Sequence, residues 1–214
     1  MLVHGAIIPP TSTLEAVAAV VRAVPAPYDE TQVGARTKGL LGRLGRGRTE
    51  ADPADAPVAM LEQVEVDRLH LPITGFGNLT THDAHRVAEA IAAAATGWKA
   101  PKVRFAGGTA LDFPGDWSVW AKLAGEVDAL SDIARGVTQS VEGLGFFVDR
   151  RQFRPMLSVA RVTATTTGPY LEALVAALDD FEGESWSPTI SLTKETFVGG
   201  QPTTIELERI DFPE

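Results

Sequence analysis

The chain has 214 residues, no cysteine and a formal net charge of -9. The absence of cysteine excludes disulfides, thiolate metal sites and cysteine nucleophiles. The charge excludes a broad basic face for long nucleic acid, although a pocket for a small anion needs only a few local donors. With 44% hydrophobic residues, the chain is long enough for one large domain or two small lobes.

No apolar run reaches the length of a membrane span. The start, MLVHGAIIPP, has neither the basic region nor the cleavage site of a signal peptide. A cytoplasmic protein without membrane association is therefore expected. VHGAII (3–8), closed by Pro9 and Pro10, predicts a buried strand. Thr11, Ser12 or Thr13 would cap the following helix, LEAVAAVVRAV, which runs to Pro25. Residues 26–60 carry no sustained period and are rich in Gly, Pro and charge, which predicts a long mobile insertion. Its Arg36, Lys38, Arg43, Arg46 and Arg48 would form either a basic lid over an anionic ligand or an ordinary solvated loop.

VEVDRLHLPITGF (64–76) predicts one strand, or two joined by a turn. NLTTHD then caps a helix, AHRVAEAIAAAA, which Gly97 ends. Strands are expected at KVRFAGGTALDF and SVWAKLAG, and a helix from about Glu126 to Val141 with Leu130, Ile133, Ala134 and Val137 at helical spacing. FRPMLSVAR (153–161) reads as an extended, half-buried run with Leu157 and Val159 on one face and Met156, Ser158 and Ala160 on the other. TTTGPYLEALVAALDDF predicts another capped helix. SPTISLTKETFV and TTIELERIDF predict two final strands.

The order of elements repeats. Strand 3–8 with helix 12–24 matches strand 118–124 with helix 126–141. HLPITGF with its loop and helix matches MLSVARV with its own. The expected fold class is α+β: two similar lobes of mixed or antiparallel sheet plus helices, related by a pseudo-two-fold around a central cleft. The whole chain would be one bilobal domain. Each half already has a mate, so a monomer is expected.

The motifs at these equivalent places resemble those of the two-histidine phosphoesterases, most closely the 2'-5' RNA ligase-like (LigT) family. MLVHGAIIPP is similar to that family's opening strand, LHLPITGFGNL to its first His-x-Thr signature, and FRPMLSVAR to its second, where Pro precedes His-x-Thr/Ser and Arg follows. The resemblance runs nearly end to end, but residues 26–60 have no counterpart. It implies hydrolysis or reversible ligation at 2'-5' and 2',3'-cyclic phosphodiesters, with no metal or other cofactor. One histidine would take a proton and the other give one, while the hydroxyls steady the phosphoryl oxygens.

Here both signatures are broken. His70 matches the first histidine, but Pro72 stands at the hydroxyl position. Met156 stands at the second histidine, while Ser158 matches its hydroxyl. A methionine carries no proton, so the ordinary two-histidine mechanism cannot run. His70 and Ser158 are the surviving candidate catalytic groups. Thr74, four residues from His70, would replace the hydroxyl lost at Pro72 if the strand is regular. Arg154 and Arg161 flank the second motif and would reach a phosphate or form surface ion pairs. His4 is a candidate relocated second histidine or a satisfied structural one. His82 and His85 lack a third metal ligand. Trp98, Trp117, Trp120 and Trp186 are expected mostly in packing roles, with base stacking as the alternative.

Three functions follow. The first is a degenerate family member that binds a nucleotide or small phosphate ester, RNA ends included, with weak or no turnover. The second is an active phosphodiesterase using His70 with a non-standard partner such as His4. The third is a protein-interaction scaffold using the basic insertion.

Overall fold

The computed structural model describes residues 1–26, 60–198 and 201–213. The predicted insertion lies almost wholly outside the described residues. The N-terminal strand β1 (Leu2–Ile7) leads through Pro9-Pro10 into helix α1 (Thr11–Ala23). The expected hydroxyl cap of α1 is absent. Pro10 holds the capping position and no side chain bonds there, because Thr11 is already the first helical residue.

A short strand, β2 (Leu61–Gln63), was not expected from sequence; three residues are too few to carry a period of two. VEVDR is also not a strand. It forms a single 3-10 turn at Val66–Arg68, and the strand proper, β3, is Leu71–Asn78. Helix α2 (Thr81–Ala95) begins as predicted. Thr80 accepts from the Asp83 amide at 3.1 Å and donates its own hydroxyl to Asp83 Oδ2 at 2.7 Å. That bond, ahead of other causes, holds the Asp83 carboxyl below its ordinary range. Thr80→Ala is expected to cost about 1 kcal/mol of stability, read as a lower urea midpoint at unchanged slope; an unchanged midpoint would deny the cap a role.

Strands β4 (Val103–Ala110) and β5 (Ser118–Gly125), helix α3 (Val127–Glu142), strand β6 (Met156–Val162), helix α4 (Gly168–Asp179) and strands β7 (Ile190–Val198) and β8 (Gln201–Ile210) complete the chain. Helix α4 carries no side-chain cap at Thr167, contrary to expectation; a proline in its first turn presets the backbone instead.

Two four-stranded antiparallel sheets result, ordered β3-β1-β7-β8 and β2-β6-β5-β4. Their common core is a repeat with exchange. The first half runs β1, α1, β3, α2, β4 and the second β5, α3, β6, α4, β7. Each half keeps two adjacent strands and gives its last strand to the other half's sheet. The fold is therefore α+β and two-lobed, and neither sheet is complete without strands from both halves of the chain.

The exchange produces one continuous core. Val3, Ile7, Leu71 and Ile190 from the first sheet join Phe105, Val119, Leu157 and Val159 from the second, together with Val17, Ile91, Leu130 and Leu174 from the helices. Burying each such side chain stabilises by about 1.5–3 kcal/mol. Helix α2 packs against α3, and α4 packs across β4. Gly108 on β4 is what allows the last contact, since a Cβ there would lie 2.7 Å from Leu178 Cβ and 3.0 Å from the Val175 carbonyl.

Candidate functional site

The strands most alike in the two halves, β3 and β6, lie in different sheets and begin on either side of a cavity of about 460 Å³. His4, His70, Pro72, Thr74, Arg154 and Met156 all line it. The structure thus brings together six of the eight residues singled out from the sequence. Ser158 and Arg161 do not line it.

His70 sits just before β3. Its Nδ1 lies 2.9 Å from the Arg68 carbonyl oxygen. A carbonyl only accepts, so Nδ1 carries the hydrogen and the nitrogen left for a ligand is Nε2. The 3-10 turn at 66–68 therefore has a local purpose: it sets the histidine's tautomer.

His4 reaches the same cavity from β1. It pairs with Gly75, and the missing side chain leaves room for the ring; a Cβ on Gly75 would stand 3.4 Å from His4 Nδ1. The other ring nitrogen, Nε2, is buried and has no hydrogen-bond partner among the described residues. A buried polar atom without a partner is unusual and calls for one.

Thr74 departs from the regular-strand expectation. Pro72 pairs with Ala6 but Thr74 pairs with Gly5, so a bulge at Ile73 breaks the alternation. Thr74 is buried, and its hydroxyl donates to the Asp149 carbonyl at 2.6 Å. That proton is committed to the chain segment that runs along the open edge of β3, where the Asp149 amide also donates to the Gly75 carbonyl at 2.8 Å.

On the facing sheet, Met156 pairs with Lys122 and Ser158 with Trp120. Paired residues share a face, so the indole stands beside the serine, and it is Trp120 that lines the cavity. A second bulge, at Val159, returns Arg161 to this face only beside Ser118, where it is exposed and beyond the lining residues. Arg154 lines the cavity with its guanidinium carbon 3.3 Å from the centroid of the Phe113 ring.

Trp120, Asp149, Arg151, Gln152, Thr193, Glu195 and Thr204 also line the cavity and were not singled out as site residues, apart from the tryptophan's stacking alternative. Arg151 donates from Nε to Asp149 Oδ2 at 2.6 Å. This bond, more than the opposing effect of burial, holds the Asp149 carboxyl below its ordinary range, and His4 adds a small pull in the same direction. A carboxylate so stabilised contributes above its unfolded pKa and loses that contribution as pH falls through the folded value. Trp120 comes from β5; no signal in the sequence marks the others, because they reach the cavity from a connecting segment and from strands β7 and β8.

His82 and His85 stay on the surface of α2, with His85 3.0 Å from Glu208. Among the described residues no group of three or more potential ligands gathers to hold a metal. No helix among them is long and apolar enough to cross a membrane.

No protein-family model matches the sequence, and no curated protein matches it. Solved structures do match its fold. A crystal structure of a phosphoesterase aligns at a TM-score of 0.60 with 16% identity, covering 100% of this chain and 98% of its own. TT0787 of Thermus thermophilus aligns at 0.57 with 19% identity over 98% and 97%. Escherichia coli LigT complexed with 3'-AMP aligns at 0.55 with 16% identity over 100% and 98%. The class of protein that this topology defines is the two-lobed α+β fold with a central cleft. The particular version is the fold shared by LigT, TT0787 and that phosphoesterase, as the sequence motifs lead one to expect.

Proposed function

We propose that the chain binds a small phosphate ester, a nucleotide or RNA end among them, in the cleft and turns it over weakly or not at all. The observation that carries this reading is the unequal cleft: one histidine with a set tautomer on one side, and Met156 on the other where the second signature has its histidine. His70 Nε2, when protonated, donates to a phosphoryl oxygen. Arg154 supplies a permanent charge. Met156 offers no proton to a leaving oxygen. In support, LigT structures of the same fold hold 3'-AMP, NADP+, ATP and phosphate. The proposal includes a chain folded as one bilobal domain, because the exchanged strands make each lobe depend on the other, and takes that chain as a cytoplasmic monomer.

Titration calorimetry with AMP tests it. Wild-type protein is expected to bind, and His70→Ala at least about tenfold more weakly, the loss of one charge-assisted hydrogen bond. No binding at millimolar AMP, or binding indifferent to His70→Ala, would overturn the reading.

The unpartnered His4 Nε2 favours a second reading, in which His4 and His70 form an active pair. Strand geometry places it second. His4 pairs with Gly75, five residues from His70 along the same sheet, roughly 16–17 Å at about 3.3 Å per residue before the bulge at Ile73 shortens the span. Acid and base must both come within hydrogen-bond reach of groups on one phosphorus, and the two rings must lean far toward each other to do so.

A further inference from the structure

We infer that a second cavity, on the far side of the segment that walls the cleft, binds a small organic polyanion, and that its occupant weakens binding in the cleft. The second cavity is independent of the phosphate reading; the coupling rests on it. The wall is residues 149–155, on the way from α3 to β6. On one side Asp149 and Arg154 line the cleft. On the other, Arg150, Phe153 and Pro155 line a groove of about 380 Å³ against α3. Arg151 and Gln152 line both, as does Ile73 of β3.

The groove is rich in donors. Arg135 of α3 joins Arg150 and Arg151, and among the described residues Glu142 is the only carboxylate in its lining. A guanidinium carries five N–H donors. Arg135 commits Nη1 to Asp132 at 2.7 Å, and Arg151 commits Nε to Asp149 at 2.6 Å. Both of those carboxylates lie outside the groove's lining. Arg150 stands 3.4 Å from Glu142 with its side chain 81% exposed, an ion pair of little strength. The amides of Gln139 and Gln152, also in the lining, have no hydrogen-bond partner among the described residues. Ser131 and Thr138 spend their hydroxyl protons on carbonyls of α3. The apolar part of the lining is Ile73, Ala134, Phe153 and Pro155. Surplus donors around apolar side chains match several carboxylates on a carbon body, since a guanidinium fork pairs with a carboxylate through two bonds.

The wall is pinned at its ends. Asp149 bonds to Gly75 and Thr74 of β3, and the Pro155 carbonyl accepts from the Leu123 amide at 2.9 Å. Between these pins its backbone bonds are local. The Arg151 amide donates to Asp149 Oδ1 at 3.1 Å, and the Arg154 carbonyl accepts from Met156 at 2.8 Å. A segment so held yields before the strands it joins. An anion in the groove competes with Asp149 for Arg151. Once drawn to the groove, Arg151 leaves the cleft. The Asp149 carboxylate, which lines the cleft, then meets a phosphate without its partner and repels it. The coupling is therefore negative, and by linkage it acts equally in both directions.

The experiment is calorimetric titration of the full chain with citrate, and with AMP at rising citrate. One citrate per chain is expected. Arg135→Ala combined with Arg150→Ala should weaken citrate at least about tenfold, the loss of charge-assisted bonds, and leave AMP unchanged. Those side chains are 65% and 81% exposed, so the core is untouched. His70→Ala should weaken AMP and leave citrate unchanged. Saturating citrate should weaken AMP at least about fivefold, the low end of such couplings, and no further as citrate rises. Absence of citrate binding would overturn the inference. So would citrate binding that is sensitive to His70→Ala and not to the arginine pair, or AMP affinity that falls without limit as citrate rises, since both put citrate in the cleft. AMP binding indifferent to saturating citrate would end the coupling. Citrate held by the arginine pair in a chain that binds no AMP would end the phosphate reading and leave the groove standing.

Discussion

Met156→His is expected to raise the turnover of a 2',3'-cyclic nucleotide at least about a hundredfold, since one positioned general acid or base is typically worth 10²- to 10⁴-fold. The side chain at 156 lines the same cavity as His70 and comes from the opposite sheet, so an imidazole there can act on the other end of a bound phosphodiester. The lower part of the range is expected because Pro72 still leaves the first signature without its hydroxyl, and the Thr74 proton is committed to the Asp149 carbonyl. His70→Ala in the same background should remove the gain. A rate unchanged by Met156→His, in protein that still binds AMP, would show that something other than the missing histidine prevents turnover.

Phe105→Ala is expected to lose about 3–5 kcal/mol of stability, the range for emptying a buried aromatic site. Phe105 is fully buried on β4, its ring centroid 6.1 Å from that of Trp186. Its carbonyl accepts from the Gly183 amide at 2.9 Å, and Val103 on the same strand forms a bridge to Trp186. Strand β4 is the piece the first half of the chain gives to the second sheet, so this site ties the exchange together. Against a total of roughly 5–15 kcal/mol for a domain, the loss brings the chain near unfolding. Urea denaturation reads it as a large fall in midpoint; a loss under about 1 kcal/mol would mean that β4 is not part of the cooperative core.

The fold was legible because its signals are local and repeated. SVWAKLAG is a strand from Ser118 to Gly125, and the helix expected from about Glu126 to Val141 is Val127–Glu142. The two-lobed architecture followed from matching element order. The exchange of β4 and β7 was not legible, since strand partners are long-range contacts that no periodicity encodes. The stretch VEVDR misled because alternating valines read as a strand, whereas the backbone there turns and sets the His70 tautomer.

His70, just before β3, and Met156, at the start of β6, line one cavity, as their equivalent places in the two motifs lead one to expect. Bulges break the expected alternation elsewhere. The irregularity at Ile73 redirects Thr74, and that at Val159 carries Arg161 beyond the cavity. Trp120 drew attention only as one of four tryptophans, because nothing in SVWAKLAG says that its partner across the sheet is Ser158.

One phosphorus NMR experiment tests the central claim most directly, since it reads binding and turnover in the same sample of protein with 2',3'-cyclic AMP. The cyclic diester resonance should broaden or shift on adding protein, lose that effect with His70→Ala, and give no monoester signal over hours. Rapid appearance of a 2'- or 3'-monoester, abolished by His70→Ala, would contradict the account and make the protein an active phosphodiesterase despite Met156.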